Sequence, residues 1–326
     1  MIPDAWAALR GLPVRPAEDG GLINVTWYAG DPVRWVVQRL HPAFGPSVHD
    51  DIEAITAHLS ARGLVTPRLL HTDEGELCAI TPAGVFRTMS FVPGFTFHRV
   101  HSRALAGAAG ALVARFHAAV DDLAWDYHHV RPGAHDTPLH MARLAEGLDR
   151  ADADARAVAE DILERWRTFQ LANLPLRHCH GDLKISNLRF DAHGQGVCLL
   201  DLDTLSALPL DVELGDAWRS WCNPKGEDDT DTAFDLDIFE AAVRGYTAVR
   251  PLSRDEREAL AGAAERISLE LASRFCRDAW EDNYFGWNNQ RFPSRRAHNL
   301  FRARGQLALA RSAREQRAGI ERVLAG

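Results

Sequence analysis

The sequence predicts an α+β chain in two unequal parts, a strand-rich first part ending near residue 92 and a mostly helical remainder. Three observations predict this division. Runs rich in β-branched and aromatic residues occupy the first part, Pro93-Gly94 breaks that pattern, and helical spacing of apolar residues dominates afterwards. At ~100–200 residues per structural unit, 326 residues leave room for about two.

Each element follows from its local pattern. Leu22 to Tyr28 and Arg34 to Leu40 read as antiparallel strands around a Gly-Asp-Pro turn at 30–32. His49 to Arg62 places Ile52, Ile55 and Leu59 at helical spacing, and Gly63 follows as a stop. Leu77 to Ile80 and Val85 to Phe91 complete a small sheet. Beyond Pro93, Ala104 to Val120 is a long helix whose small residues suit burial, and Asp152 to Leu171 repeats Val158, Ile162 and Trp166 every four residues. Between Arg177 and Thr204 the period shortens, with strands at Asn187 to Phe190 and Gly196 to Leu200 around an Asp-Ala-His-Gly turn. From about Asp235 the chain reads as helices, and the acidic run Glu227 to Asp237 lacks the spacing of a calcium loop.

Composition excludes several classes. Lys+Arg 37 against Asp+Glu 45 gives a formal charge of −8, which opposes a generally basic nucleic-acid binder. With 46% hydrophobic residues there is apolar surface enough to offset chain entropy. Five scattered cysteines with no C-x-x-C pair argue against a disulfide framework or structural zinc and fit a reducing cytoplasm. The first residues do not read as a signal peptide, and no apolar stretch reaches the ~18 residues needed to span a bilayer.

The chemistry concentrates in His178 to Thr204, HCHGDLKISNLRFDAHGQGVCLLDLDT. Phosphoryl transfer to a hydroxyl needs a group that orients or accepts the hydroxyl proton and oxygen ligands for Mg²⁺. An Asp followed five residues later by Asn supplies both from one loop, and a second Asp ending an apolar strand adds a further carboxylate. Asp182, Asn187 and Asp201 have that arrangement: Asp182 faces the acceptor, and Asn187 and Asp201 face the metal. Lys184 is placed to neutralise charge on the transferring phosphate. Turn-forming alone explains any one of these residues, but not the series. A zinc reading of His178-x-His180 lacks further ligands at suitable spacing.

The pattern H-x-D-x-K-x-x-N, followed after a hairpin by apolar-apolar-Asp, resembles the catalytic segment of the aminoglycoside phosphotransferase and choline kinase superfamily, relatives of protein kinases. The resemblance implies a bilobed protein-kinase-like fold, with a small antiparallel-sheet N-lobe at 1–92, a mostly helical C-lobe at 93–326, and ATP and Mg²⁺ as cofactors. Gly20 to Thr26 is similar to the family's nucleotide loop and brings Asn24 to the nucleotide. Arg87 to Gly94 is similar to the interlobe hinge, with Met89 and Phe91 beside adenine. One departure stands out. The strand position of the usual phosphate-binding lysine holds Gln38, with Arg39 on the opposite face, so a helix acid such as Glu53 loses its usual partner.

Further pieces resemble the N-acetylhexosamine 1-kinases. They are Ile23-Asn24-Val25-Thr26-Trp27, Val36-Val37-Gln38-Arg39-Leu40, Ile55 to Leu59, Asp201 to Thr204, Asn283-Tyr284-Phe285 and His298 to Leu307, with Trp27 and Gly305 as departures. The expectation is therefore a small-molecule kinase acting on a hydroxyl, foremost the anomeric hydroxyl of a sugar. The alternatives are a homoserine-, choline- or aminoglycoside-type kinase, a protein kinase, or a non-catalytic binding module, which Gln38 suggests. On the acceptor side Asp216 either accepts from sugar hydroxyls or joins a salt bridge, Arg219 either contacts the sugar or orients Asp216, Trp218 and Trp221 either stack on a sugar or fill the core, and Arg302 belongs either to the substrate site or to an ion pair. The expected partner is a small-molecule acceptor, with no nucleic acid and no membrane.

Overall fold

The computed structural model describes residues 2–17 and 24–326. Its first part is a five-stranded antiparallel sheet in the order β1-β2-β3-β5-β4, formed by β1 (Val14–Pro16), β2 (Val25–Ala29), β3 (Trp35–Arg39), β4 (Ala79–Thr81) and β5 (Gly84–Ser90). The register sets Thr26 opposite Gln38 across β2 and β3, and Gln38 opposite Arg87 across β3 and β5. The expected nucleotide loop at 20–23 lies outside the described residues. Helix α1 (Val48–Ala61) buries Ile52, Ile55 and Leu59 as their spacing requires. Fully burying such a side chain is worth roughly 1.5–3 kcal/mol.

After Pro93 the chain enters α2 (Arg103–Val120), capped by the Ser102 hydroxyl accepting from the Leu105 N–H. Its small-residue face lets α6 (Leu236–Thr247) approach closely: a Cβ on Gly110 would stand 2.1 Å from the Ala242 carbonyl oxygen. Helices α3 (Thr137–Glu146) and α4 (Ala153–Arg167) follow. With α8 (Ala263–Glu281) and α9 (Arg295–Glu315) they enclose a second apolar cluster centred on Leu144, Ile162, Leu269 and Phe275. The larger core runs from Ile52 and Ile55 in α1 through α2 to Leu214 and Trp218, joining the sheet side to the helical side without interruption.

Four short strands sit between α4 and the later helices. β6 (Leu176–Cys179) pairs with β9 (Ser206–Pro209), and β7 (Leu188–Phe190) pairs with β8 (Gly196–Leu199), all antiparallel. Helix α5 (Leu210–Trp221) begins directly at the end of β9, and α7 (Arg254–Leu260) and α10 (Arg317–Ala325) complete the chain. The α+β class expected from the sequence is the one observed. Several elements were not expected: β1, the β6–β9 pair, α3 and α5. α4 also stops at Arg167 rather than at Leu171. The five cysteines are free thiols, and no helix among the described residues is long and apolar enough to cross a membrane.

Candidate active site

The loop from His180 to Asn187 joins β6 to β7 and is held from behind by α5. Glu213 accepts from the backbone N–H groups of His180 (2.8 Å) and Gly181 (2.9 Å), and Asp216 accepts from that of Leu183 (3.1 Å). The Trp221 indole donates to the Leu183 carbonyl at 2.7 Å. Gly181 has φ +78°, and a Cβ there would lie 2.4 Å from the Thr204 carbonyl oxygen, so glycine is required on both conformational and steric grounds. His180 fixes the loop from its own ring: Nε2 meets the Leu200 carbonyl at 2.7 Å, and Nδ1 accepts from the Asp182 N–H at 3.3 Å. His178 turns away to Tyr127 and the Leu123 carbonyl, so the two histidines are structural.

On this frame Asp182, Lys184, Asn187 and Asp201 converge. Lys184 Nζ donates to Asp182 Oδ2 at 2.7 Å and lies 3.9 Å from Asp201. Asn187 Nδ2 donates to both the side chain (3.1 Å) and the carbonyl (2.9 Å) of Asp182. Burial raises the Asp182 pKa, but the Lys184 ammonium outweighs it and holds the carboxyl below the usual carboxylate range. Asp201 moves the other way, pushed up first by burial and then by the charge of Asp203. Burial lowers Lys184, yet Asp182 and Asp201 together hold it above its ordinary value. Asp201 adopts a left-handed backbone, φ 58° and ψ 59°, a conformation that short polar side chains tolerate and that concentrates at functional sites.

The donor set suits a hard divalent cation. Asn187 commits its amide nitrogen to Asp182, which leaves Oδ1 to coordinate. Asp201 accepts no hydrogen bond among the described residues, and its raised pKa shows a carboxylate that a cation would relieve. Another buried trio, His117, Cys179 and Glu213, has ligand atoms within 4.8 Å of one another. Those groups are already engaged with Tyr246, the Leu208 carbonyl and the loop N–H groups, respectively.

Above the loop, the sheet contributes a polar cluster that the sequence only half revealed. Arg87, 1% exposed, donates through Nε and Nη2 to Gln38 Oε1 at 2.9 and 2.7 Å. Its guanidinium also pairs with both carboxylate oxygens of Asp203, itself 2% exposed. Asn24 Nδ2 donates to Asp203 at 2.7 Å, while its Oδ1 accepts from the His41 N–H. Gln38, at the strand position expected to hold a lysine, thus faces a guanidinium from the next strand. The missed signal was the register: with no charge at Gln38, the residue opposite it in β5 is the place to look for one. Glu53 meets Arg68 at 2.7 Å instead of a β3 cation.

The remaining expected residues fall in different surroundings. Met89 is buried in β5 between Val36 and Leu69, so its backbone is committed to the sheet. The Phe91 N–H donates to the Arg34 carbonyl, and its ring packs edge-on against Tyr28 beneath Arg189. Asp216 takes the ion pair among its sequence alternatives, meeting Arg219 at 2.8 Å, and Arg219 also meets Glu227 at 2.6 Å. Trp218 and Trp221 are core residues at 2% and 1% exposure, so neither offers a face to a sugar. Arg302 takes the ion pair among its sequence alternatives, donating to Asp228 at 2.7 Å and to the Gly286 carbonyl. The acidic run is divided among such pairs and the cap of α6, where Asp235 accepts from the Ile238 N–H.

Comparison with known proteins places this geometry. The family model described as "Phosphotransferase enzyme family" (APH) matches residues 14–252. A homoserine kinase from Granulibacter bethesdensis is 29% identical over 220 residues, covering 65% of this chain and 65% of that protein; the chain spans about 65% of the length of the first curated relatives it matches. These relatives are homoserine kinases, where the sequence pieces pointed to N-acetylhexosamine 1-kinases. Among solved structures, an aminoglycoside phosphotransferase from Alicyclobacillus acidocaldarius superposes with a TM-score of 0.63 at 15% identity, covering 98% of this chain and 97% of the other. The amicoumacin kinase hAmiN in complex with AMP-PNP, Ca²⁺ and Ami gives 0.62 at 11%, covering 90% and 87%. At these identities the likeness establishes the fold, a kinase-like one.

Proposed function

The chain belongs to the phosphotransferase enzyme family APH, and from that premise we propose that it is a small-molecule kinase moving the γ-phosphoryl group of ATP to an acceptor hydroxyl. The observation that carries this reading is the Asp182 carboxylate held by Lys184 and Asn187, with Asp201 3.9 Å from the same ammonium. Asp182 is ionised at neutral pH, so it accepts a hydrogen bond from the acceptor hydroxyl and aims its oxygen at the γ-phosphorus. As the new P–O bond forms, the bond from the γ-phosphorus to the bridging oxygen breaks, ADP keeps the electron pair, and the hydroxyl proton passes to Asp182. Lys184 lies where it offsets charge on the phosphoryl oxygens. A Mg²⁺ ion held by Asn187 and Asp201 would supply further neutralisation of the phosphate charge.

For the acceptor, two readings come from two observations. The homoserine kinase relatives favour a small hydroxy amino acid, and the sequence pieces shared with N-acetylhexosamine 1-kinases favour a sugar. Burial of Trp218 and Trp221 removes one stacking surface that a sugar could have used, so the first is preferred. The test is ADP release across L-homoserine, N-acetylhexosamines, hexoses, choline and aminoglycosides. Turnover of at least one, reduced about 10²–10⁴-fold by Asp182→Asn while ATP binding persists, is expected. Full activity in that variant, or no turnover of any acceptor together with no Mg-ATP thermal shift, would overturn the reading in favour of a binding module.

A further inference from the structure

The turn that presents Asp201 is tied to the sheet by a buried pair that the phosphoryl transfer does not use. Asp201 precedes one 3₁₀ turn, Leu202–Thr204, and its left-handed backbone is fixed by its neighbours, since its own carboxylate accepts no hydrogen bond among the described residues. On one side the Leu200 N–H donates to the Asn187 carbonyl at 2.7 Å, and the Leu200 carbonyl meets His180 Nε2. On the other, the Thr204 hydroxyl donates to the His180 carbonyl at 2.7 Å, and Asp203 is taken by Arg87 and Asn24. A non-glycine residue persists in this region of backbone space where its surroundings over-determine it.

Arg87 is itself aimed. Thr26, Gln38 and Arg87 are register partners across β2, β3 and β5, so they form one row on one face of the sheet. Gln38 Nε2 donates to the Thr26 hydroxyl at 3.2 Å, which turns Oε1 toward Arg87, where it accepts from Nε at 2.9 Å and Nη2 at 2.7 Å. The remaining fork faces Asp203: Nη2 reaches Oδ2 at 3.1 Å, and Nη1 pairs with Oδ1. The two carboxylates of the turn are thereby divided. Asp203 goes to the guanidinium of the sheet, while Asp201 stays 3.9 Å from Lys184 Nζ with its oxygens available to a cation. Without Arg87, Asp203 would be a buried carboxylate without a charge partner, costly enough to draw a nearby cation or shift the turn.

We propose that Arg87 is a positioning residue of the metal site: by occupying Asp203 it fixes the Asp201 turn to the sheet and reserves Asp201 for the divalent cation. This rests on the kinase reading and adds to it a mechanical link between sheet and cation that the Asp182 loop alone does not supply.

The test measures Mn²⁺ binding to the full chain by electron paramagnetic resonance in the presence of ADP, alongside ADP release from the best acceptor as Mg²⁺ is titrated. Groups that orient the ligands of a metal change its affinity by about 10–100-fold, so Arg87→Gln is expected to weaken Mn²⁺ about tenfold or more. The Mg²⁺ needed for half-maximal activity should rise in step, with excess Mg²⁺ recovering part of kcat. Arg87→Lys, which keeps the charge but not the fork, is expected to lose less. Arg250→Gln breaks another largely buried pair, with Glu256 at 2.7 Å, that shares no partner with Asp203; it should lower the melting temperature without changing Mn²⁺ affinity. If Arg87→Gln fails to fold, Arg87→Lys and Asp203→Asn carry the same test. Mn²⁺ affinity within about twofold of the native chain in the folded Arg87 variants, or an equal loss in Arg250→Gln, would overturn the proposal while leaving the kinase reading. Native Mn²⁺ affinity in Asp201→Asn would overturn the metal assignment and the proposal with it. Weakened Mn²⁺ in Arg87→Gln, with no turnover of any acceptor by the native chain, would support the positioning role and overturn the kinase reading.

Discussion

Replacing Asp203 by asparagine removes the carboxylate that meets the buried Arg87 guanidinium between the sheet and the helical part. Both side chains are almost fully buried, and removing one partner of a buried pair costs about 3–5 kcal/mol because the other charge is stranded. Asparagine keeps the shape and one acceptor oxygen, and Gln38 still takes Nε and Nη2 of Arg87, so the lower end, about 3 kcal/mol, is expected for Asp203→Asn. Urea unfolding followed by fluorescence measures it as a lowered midpoint. The companion experiment is a cycle with Arg87→Met and Asp203→Leu. Each single change strands a buried charge and the double change strands neither, leaving only the neutral amides of Gln38 and Asn24 without those partners, so the double variant should be less destabilised than the sum by about 2 kcal/mol or more. Burial raises the Asp203 pKa and Arg87 more than reverses it, so the pair stabilises above the unfolded-state pKa of about 3.9 and is lost as the solution is acidified through the lower folded value. A loss under about 1 kcal/mol for Asp203→Asn, or additivity within about 0.5 kcal/mol, would refute the reasoning.

Two other outcomes follow from the same structure. Gly181→Ala meets both a left-handed backbone and the Thr204 carbonyl; strain alone costs about 1–3 kcal/mol, and ADP release should fall further than the melting temperature suggests, whereas unchanged kinetics would remove the steric argument. The His135–Glu270 contact sets a pH window: burial lowers His135, but Glu270 at 3.3 Å holds it above its ordinary value, and Glu270 itself, despite burial, is held down to about 2 by the neighbouring His135 ring. The His135 contribution is complete below about pH 6.5 and fades as pH rises through the raised value; the gap in melting temperature between the native chain and His135→Asn should therefore shrink above about pH 7, and a gap constant to pH 9 speaks against it.

Much of the candidate site was legible because its residues are local. Asp182, Lys184 and Asn187 lie within six residues of sequence, so spacing alone brings them together, and Asp201 follows one hairpin later. The α1 and α2 helices were legible because their apolar residues recur with helical period and are buried accordingly. What escaped was set by partners distant in sequence. Arg87 acquires its meaning from Gln38 and Asp203, 49 and 116 residues away. Trp218 and Trp221 read equally as sugar platforms or core until packing decided between them. Helix α3 is short, and its Asp136 cap and second-position proline mark a start that no strong apolar period continues. Strands β6 and β9 have four residues each, too few for alternation to stand out.

The grip of α5 on the Asp182 loop has a consequence for how variation in this chain will be read. Glu213, Asp216 and Trp221 hold main-chain groups, which no substitution on the loop short of proline can delete. Fragility is thereby displaced from the loop to a buried helix more than thirty residues further along the chain. A map of activity-impairing substitutions will colour α5 as strongly as the loop, and survey methods that equate such colouring with ligand contact will draw the pocket too large.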